Sequence, residues 1–378
     1  MSAGADSPAS LAQDYIGNPR FHQRFTLEPT ATHGAVEVTY AEYGREPDGT
    51  TSIPTILLMP GMFSSRYLGL ALHPIATKLG VRLLTVDRPG MGGSTDVPLA
   101  QRVSIWLETV PRLLANLAIQ HVALASHSAG TIYLLNTLYH CRDLVSPNAP
   151  VTMLAPWVDP AFSRITSMQM AQYLPNKAFS LWDRIPRFFL LQAGPAFASS
   201  GAVVKKVTNA ISSPGSGAHD ITQQEKTRLH IEEFYGLPRD VQAELENLIF
   251  RRIFQESTVG SNSEALQCLR KEANTWGKCE DYQVFVRDFR QLERDREGSA
   301  LMVHAYFAES DSMIGKKGQQ YFEECWQGTD DDDNLDSVNF ISTTVPGTDH
   351  DTLATSVEIW EKIIGDLTRA LDHGSQPT

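Results

Sequence analysis

The chain has 378 residues, 42% of them apolar, with a formal net charge of −12. Folding at that length buries roughly three-quarters of the unfolded chain's surface, so one large domain, or a domain carrying an insertion, needs no disulfide or metal staple. The acidic balance excludes nucleic acid as a partner, because phosphate binding rests on clustered Lys and Arg.

The N-terminal arm, residues 1–20, is polar and lacks a basic segment followed by an apolar one, so it is read as flexible and the protein as cytoplasmic. Val36–Tyr43 alternates with period two and reads as an antiparallel edge strand. Thr55–Met59 is a continuous apolar run of the kind expected where both faces of a sheet are covered. A helix follows near Tyr67–Leu79, then the strand Val81–Val86, a helix near Ser104–Ile119 that Pro111 should kink, the strand Val122–Ala125, a helix after Ser128, and the strand Val151–Ala155. Strands alternating with helices predict an α/β protein built on a mostly parallel, doubly wound sheet.

The alternation stops at Pro156 and resumes at Leu301–Phe307. The intervening stretch, too long for a loop, carries helical patterning: Val241, Leu245, Leu248, Ile249 and Ile253 form one stripe after Pro238, and further helices are expected over Ser263–Trp276 and Asp281–Glu297. Ser212–Gly217 is a turn-rich break. Residues 160–298 are therefore read as an inserted helical cap over the C-terminal edge of a core made of residues 21–159 and 299–378. The cap is the surface through which a homodimer would form. Val338–Ser342 is a last strand and Asp351–Leu371 the closing helix. No uninterrupted apolar stretch approaches the roughly 18 residues of a membrane span. Cys141, Cys268, Cys279 and Cys325 lack metal-ligand spacing and are read as reduced thiols.

The chemistry is concentrated at Ala123–Thr131, where an apolar run ends in Ser126-His127-Ser128-Ala129-Gly130. A serine on a sharp strand-to-helix turn is forced to positive φ, and the crowded backbones beside it admit only small residues two positions either side. The pattern is S-x-S-x-G, one residue away from the usual G-x-S-x-G. Three further segments follow strands: Pro60-Gly61-Met62-Phe63, Asp87-Arg-Pro-Gly-Met-Gly-Gly-Ser94, and Val345-Pro-Gly-Thr-Asp-His350. In this order the four segments resemble the α/β-hydrolase fold superfamily, over residues 36–160 and 300–370, in its serine-hydrolase branch with a large helical cap.

The resemblance implies an acyl-transfer site with Ser128 as nucleophile and His350 as general base. Asp311, a few residues past the penultimate strand, is the expected orienting acid; Asp159 and Glu309 stay open as alternatives. Asp349 and Asp351 are too close in sequence to the base to reach its ring. Backbone N–H groups of Met62 and Ala129 would form the oxyanion hole, and Phe63 and Trp157 lie where a substrate pocket is expected. Met168, Met170, Phe179, Trp182, Phe188 and Phe189 could line that pocket or simply form the cap's own core. His127 should turn into the interior, and His304 reads as a satisfied core residue.

Other apparent motifs fail on inspection. Gly90–Thr95 lacks the lysine of a phosphate loop. Asp330–Asp336 has Leu335 where a calcium loop needs glycine and Ile341 where it needs glutamate, so it reads as a solvated acidic loop. No metal or cofactor is called for. A serine in place of an aspartate sets the chain apart from the branches that act through a carboxylate nucleophile. The expectation is hydrolysis of an ester, thioester or lactone of a fairly apolar small molecule. The same residues would also serve a biosynthetic enzyme performing acyl transfer, cyclisation, lyase or C–C bond chemistry, or a ligand-binding member with low turnover.

Overall fold

The computed structural model describes residues 7–47, 49, 53–179, 223–296, 300–328 and 337–374. Its frame is one eight-stranded sheet: β1 (Gln23–Leu27), β2 (Val36–Gly44), β3 (Thr55–Met59), β4 (Arg82–Val86), β5 (Ala123–His127), β6 (Val151–Leu154), β7 (Leu301–Ser310) and β8 (Val338–Asp349). The spatial order is β1-β2-β4-β3-β5-β6-β7-β8. The β1–β2 and β2–β4 pairs are antiparallel and every other pair is parallel. This is the α/β-hydrolase arrangement, a mostly parallel sheet wound on both sides.

The central strands β3, β4 and β5 are buried along their whole length, as apolar runs are when helices cover both sheet faces. The period of two divides β3 between two cores. Leu57 and Met59 join a cluster with Trp106, Ile132 and Leu134, from α3 (Arg102–Asn116) and α4 (Gly130–His140). Ile56 and Leu58 face a second cluster with Ile75 of α2 (His73–Lys78) and Trp360 and Ile363 of α13 (Val357–Gly374).

The expected edge strand at Val36–Tyr43 is not an edge. Gln23–Leu27 pairs outside it, residue Gln23 against Tyr40 and Leu27 against Val36; its exposed alternate positions hid it from an apolar pattern. Nor is the N-terminal arm loose from Pro8 onward. Pro8–Ile16 forms α1, capped by the Ser7 hydroxyl on the Ser10 N–H, with Ala12 and Ile16 fully buried. A 3₁₀ turn over Arg66–Leu72 precedes α2 in the region expected as one helix, and Pro111 does lie inside α3.

Between β6 and β7 the described residues are helical: α5 (Pro160–Ser163), α6 (Thr166–Gln172), α7 (Asn176–Phe179), α8 (Gln223–Tyr235), α9 (Arg239–Gln255), α10 (Gly260–Cys268) and α11 (Tyr282–Arg294). Ser212–Gly217, Trp182, Phe188 and Phe189 fall outside the described residues, as does Asp330–Asp336. The stripe on α9 is real, with Val241, Leu245 and Ile253 buried. Not all of the stretch expected as cap stands off the sheet. Tyr282, Phe285, Val286 and Phe289 of α11 sit in the sheet's own cluster with Val303, Phe322 and Trp326, so α11 flanks the core. With it packs α12 (Gly315–Gln327), between β7 and β8. No helix among the described residues is long and apolar enough to cross a membrane.

Candidate active site

The parallel strands all deliver their C-terminal ends to one edge of the sheet, where open α/β sheets hold their ligands. Met59 leads into Pro60–Phe63, Val86 into Asp87–Ser94, His127 into Ser128, Ser310 into Asp311, and Asp349 into His350. Five segments remote in sequence thus meet at one place because strand direction puts them there.

Ser128 has φ of 51°, the left-handed geometry expected of a strained strand-to-helix turn. Its N–H donates to the Leu154 carbonyl at 3.0 Å, and its carbonyl accepts from the Thr131 N–H at 2.9 Å. The small-residue requirement is met: a Cβ on Gly130 would lie 2.0 Å from the Met59 carbonyl oxygen. Ser126, at the other small position, is fully buried.

His350 immediately follows β8, which runs further than the expected Val338–Ser342. Its Nε2 lies 2.8 Å from Ser128 Oγ and its Nδ1 2.7 Å from Asp311 Oδ2. Asp311 is fixed in turn, since its Oδ1 accepts from the N–H groups of Met313 and Ile314, each at 2.8 Å. Ser128 and His350 are only 4% and 3% exposed. Burial disfavours charge on both members of the His350–Asp311 pair, but their mutual attraction and hydrogen bond outweigh it. His350 is therefore raised above its ordinary pKa, and Asp311, helped by its two N–H donors, is held below the usual carboxylate range.

The other expected acids are engaged elsewhere. Asp159 caps α5 through Oδ1 on the Ala161 N–H at 2.8 Å, and its Oδ2 pairs with Arg270 Nε at 3.0 Å. Glu309 accepts from the Gly347 N–H at 2.8 Å. Neither carboxylate reaches His350.

Pro60–Phe63 passes against the serine: a Cβ on Gly61 would stand 3.3 Å from Ser128 Cβ and 2.8 Å from His127 Nδ1. Phe63 also adopts positive φ, 63°. Among the described residues the N–H groups of Met62 and Ala129 have no protein acceptor. Ala129 directly precedes α4, whose N-terminal dipole favours negative charge there. The Met62 side chain is half-buried and touches both the sheet cluster and a small cluster of Phe179, Ala265 and Leu269 from the inserted segment. Trp157, expected at a pocket wall, is instead a core residue. It is buried, its Nε1 donates to the Cys268 carbonyl at 3.0 Å, and its own carbonyl accepts from the Tyr282 hydroxyl at 2.7 Å.

His127 is interior, as the turn geometry requires. Its Nε2 donates to the His350 carbonyl at 2.8 Å, and burial, with His350 beside it, lowers its pKa to about 4. Sequence reading missed its partner, together with a buried ionic group below the serine loop: Arg88, Arg102 and Glu264. The one available signal was an arginine inside the Asp87–Gly90 turn. A separate cavity of about 400 Å³ lies between β6–β8 and α13, lined by His304, Tyr306, Thr343 and Lys362 among others; it contains none of the residues above.

The profile of the alpha/beta hydrolase family matches residues 56–248, just over half of the chain. Among solved structures the chain is similar to a carboxylesterase of the thaumarchaeon Nitrososphaera gargenis, at 13% identity and a TM-score of 0.52 over 92% of this chain and 100% of that one. It is similar to epoxide hydrolase A of Mycobacterium thermoresistibile, at 14% identity and 0.50 over 92% and 98%. A thermophilic esterase of Thermogutta terrifontis matches at 13% identity and 0.50 over 93% and 98%. No curated protein matches the chain. At these identities the structural likeness speaks for the fold, and with the profile match it places the chain in the alpha/beta hydrolase family.

Proposed function

We propose that this protein is a serine hydrolase that cleaves an ester, thioester or lactone of a fairly apolar small molecule through an acyl-enzyme on Ser128. The observation that carries the proposal is the unbroken hydrogen-bond chain from Ser128 Oγ through both nitrogens of His350 to Asp311, at 2.8 and 2.7 Å, with the serine on a positive-φ turn.

In this reading His350 Nε2 takes the Ser128 proton as Oγ attacks the substrate carbonyl, and returns it to the leaving group when the tetrahedral intermediate collapses. Water, deprotonated by the same nitrogen, then releases the acid. Asp311 orients the ring and favours the imidazolium, which agrees with the raised pKa of His350. The free N–H groups of Met62 and Ala129 would hold the oxyanion, each worth on the order of 10²–10³ in rate. Met62 and Phe63, both part-exposed beside the serine, favour an apolar acyl or alcohol group. The carboxylesterase and esterase named above are consistent with this substrate class; the epoxide hydrolase is not, because Ser128 is no carboxylate.

The test is labelling with a fluorophosphonate, read by intact mass and peptide mapping. One adduct per chain on Ser128, abolished in His350→Ala, supports the proposal. No adduct, with simple esters left intact, would sink it and leave a ligand-binding member of the family.

A further inference from the structure

We infer that Arg88 is a positioning residue for the oxyanion site, held in place by Glu264 of the inserted helical segment. The inference rests on the acyl-transfer reading above.

Arg88 is 1% exposed and Glu264 fully buried. The guanidinium forks in two directions. Toward the inserted segment, Nε and one terminal nitrogen donate to the two Glu264 oxygens at 2.5 and 2.9 Å. Toward the serine loop, the terminal nitrogens donate to the carbonyls of Pro60 and Gly61, the latter at 2.8 Å. Glu264 is shared with a second buried cation, Arg102, at 2.9 Å, and Arg102 itself donates to the Pro89 carbonyl at 2.7 Å. Two buried cations therefore share one buried anion beside Pro60 and Gly61, with the half-exposed Asp96 3.8 Å from Arg102 at the edge of the group.

The consequence follows from peptide geometry. The Gly61 carbonyl and the Met62 N–H belong to one planar trans peptide, so a donor that fixes the carbonyl fixes the direction of the N–H. A charged donor on the carbonyl also polarises the amide and makes its N–H a stronger donor, most of all in a low-dielectric interior. Gly61 is under this control twice, because its carbonyl also accepts from the Ser64 N–H at 3.2 Å. The Met62 N–H is the group assigned to the oxyanion, and it has no protein acceptor of its own among the described residues. Substituting Arg88 acts on this N–H without touching substrate.

Glu264 reaches Arg88 because α10 docks by its N-terminus on the Asp87–Gly90 turn. The Gly260 N–H donates to the Gly90 carbonyl at 2.9 Å, and a Cβ on Gly260 would lie 2.3 Å from the Pro89 oxygen. The inserted segment thereby sets the rigidity of the loop that receives the developing charge.

The experiment compares Arg88→Lys and Glu264→Gln with the unaltered full chain, using p-nitrophenyl butyrate as substrate and an alkyl trifluoromethyl ketone as the tetrahedral mimic. Labelling of the unaltered chain by fluorophosphonate checks the acyl-transfer reading separately. Arg88→Lys should lower kcat about 10- to 100-fold, since one oxyanion donor is worth on the order of 10²–10³, with KM changed less than threefold. The ketone's inhibition constant should rise in proportion to the loss in kcat/KM. Glu264→Gln, which keeps the shape and the hydrogen bonds to a single oxygen but removes the charge, should shift both in the same direction by about three- to tenfold, and it decides the matter if Arg88→Lys fails to fold. The inference is overturned if ketone affinity stays within threefold of the unaltered chain in the folded variants, or if KM rises as much as the ketone constant does, as a merely structural role predicts.

Discussion

The residue before the proposed nucleophile holds the residue proposed to activate it: His127 Nε2 donates to the main-chain carbonyl of His350 at 2.8 Å. An accepting carbonyl requires the proton on Nε2, so the neutral imidazole is fixed in one tautomer. The two rings stand 5.0 Å apart. The turn that carries Ser128 therefore also anchors the backbone of His350.

His127→Ala should leave the loop after β8 less well placed. A displacement of about 1 Å at a reacting group costs on the order of 10²-fold, so kcat for a p-nitrophenyl ester is expected to fall 10- to 100-fold with KM little changed. His127→Gln, whose amide can donate to the same carbonyl, should recover part of the loss. Equal kcat in the alanine variant would contradict the anchoring role.

Asp311→Asn should lower kcat by roughly 10⁴-fold, because an amide can stabilise the wrong tautomer and no longer balances an imidazolium. The pH profile tests the electrostatics independently. His350 must be neutral to act as base, so kcat/KM should climb with pH through the raised pKa of His350 and then level off. Without the Asp311 charge that pKa falls, and the acidic limb should move to lower pH. A limb that stays put or moves upward would assign the raised pKa to another cause.

Gly130→Ala should destabilise the protein by about 3 kcal/mol or more, since its Cβ meets the Met59 and Pro60 carbonyl oxygens, which are backbone and cannot swing away. Gly347→Ala offers the contrast. It has open space around it but φ of +71°, so only backbone strain of about 1–3 kcal/mol is expected. Denaturant melts of both variants check the ranking.

Acid should destabilise the fold before its carboxylates titrate. His73, His127 and His304 are all lowered from 6.5 to about 4, in each case first by burial. A group with a depressed native pKa takes up its proton in the unfolded chain first. Stability is thus full above about pH 6.5 and is lost as pH falls toward 4, by at most about 1.4 kcal/mol per pH unit for each histidine. The melting temperature between pH 7 and 4 reads this directly. His304→Gln, whose amide reaches the position of Nε2 and can keep a hydrogen bond to the Thr343 hydroxyl now 2.8 Å from it, should flatten the slope.

Much of this molecule was legible from neighbours in sequence. The all-apolar runs at β3, β4 and β5 and the small residues about Ser128 are local patterns, because burial on both faces and a strained turn each restrict the residues that occupy them; the order of Ser128, Asp311 and His350 came with the family resemblance. What local pattern could not decide was which partner a side chain finds. Asp311 and Asp159 each follow a strand end, and only the folded chain shows one beside His350 Nδ1, across 39 residues, and the other engaged by Ala161 and Arg270. The exposed strand Gln23–Leu27 and the core position of α11 depend in the same way on what packs against them. Arg88 and Glu264 are 176 residues apart, and nothing in the sequence around either one points to the other. A buried charge is tolerated only where its counter-charge is delivered, and that delivery belongs to chain closure, which no window of sequence contains.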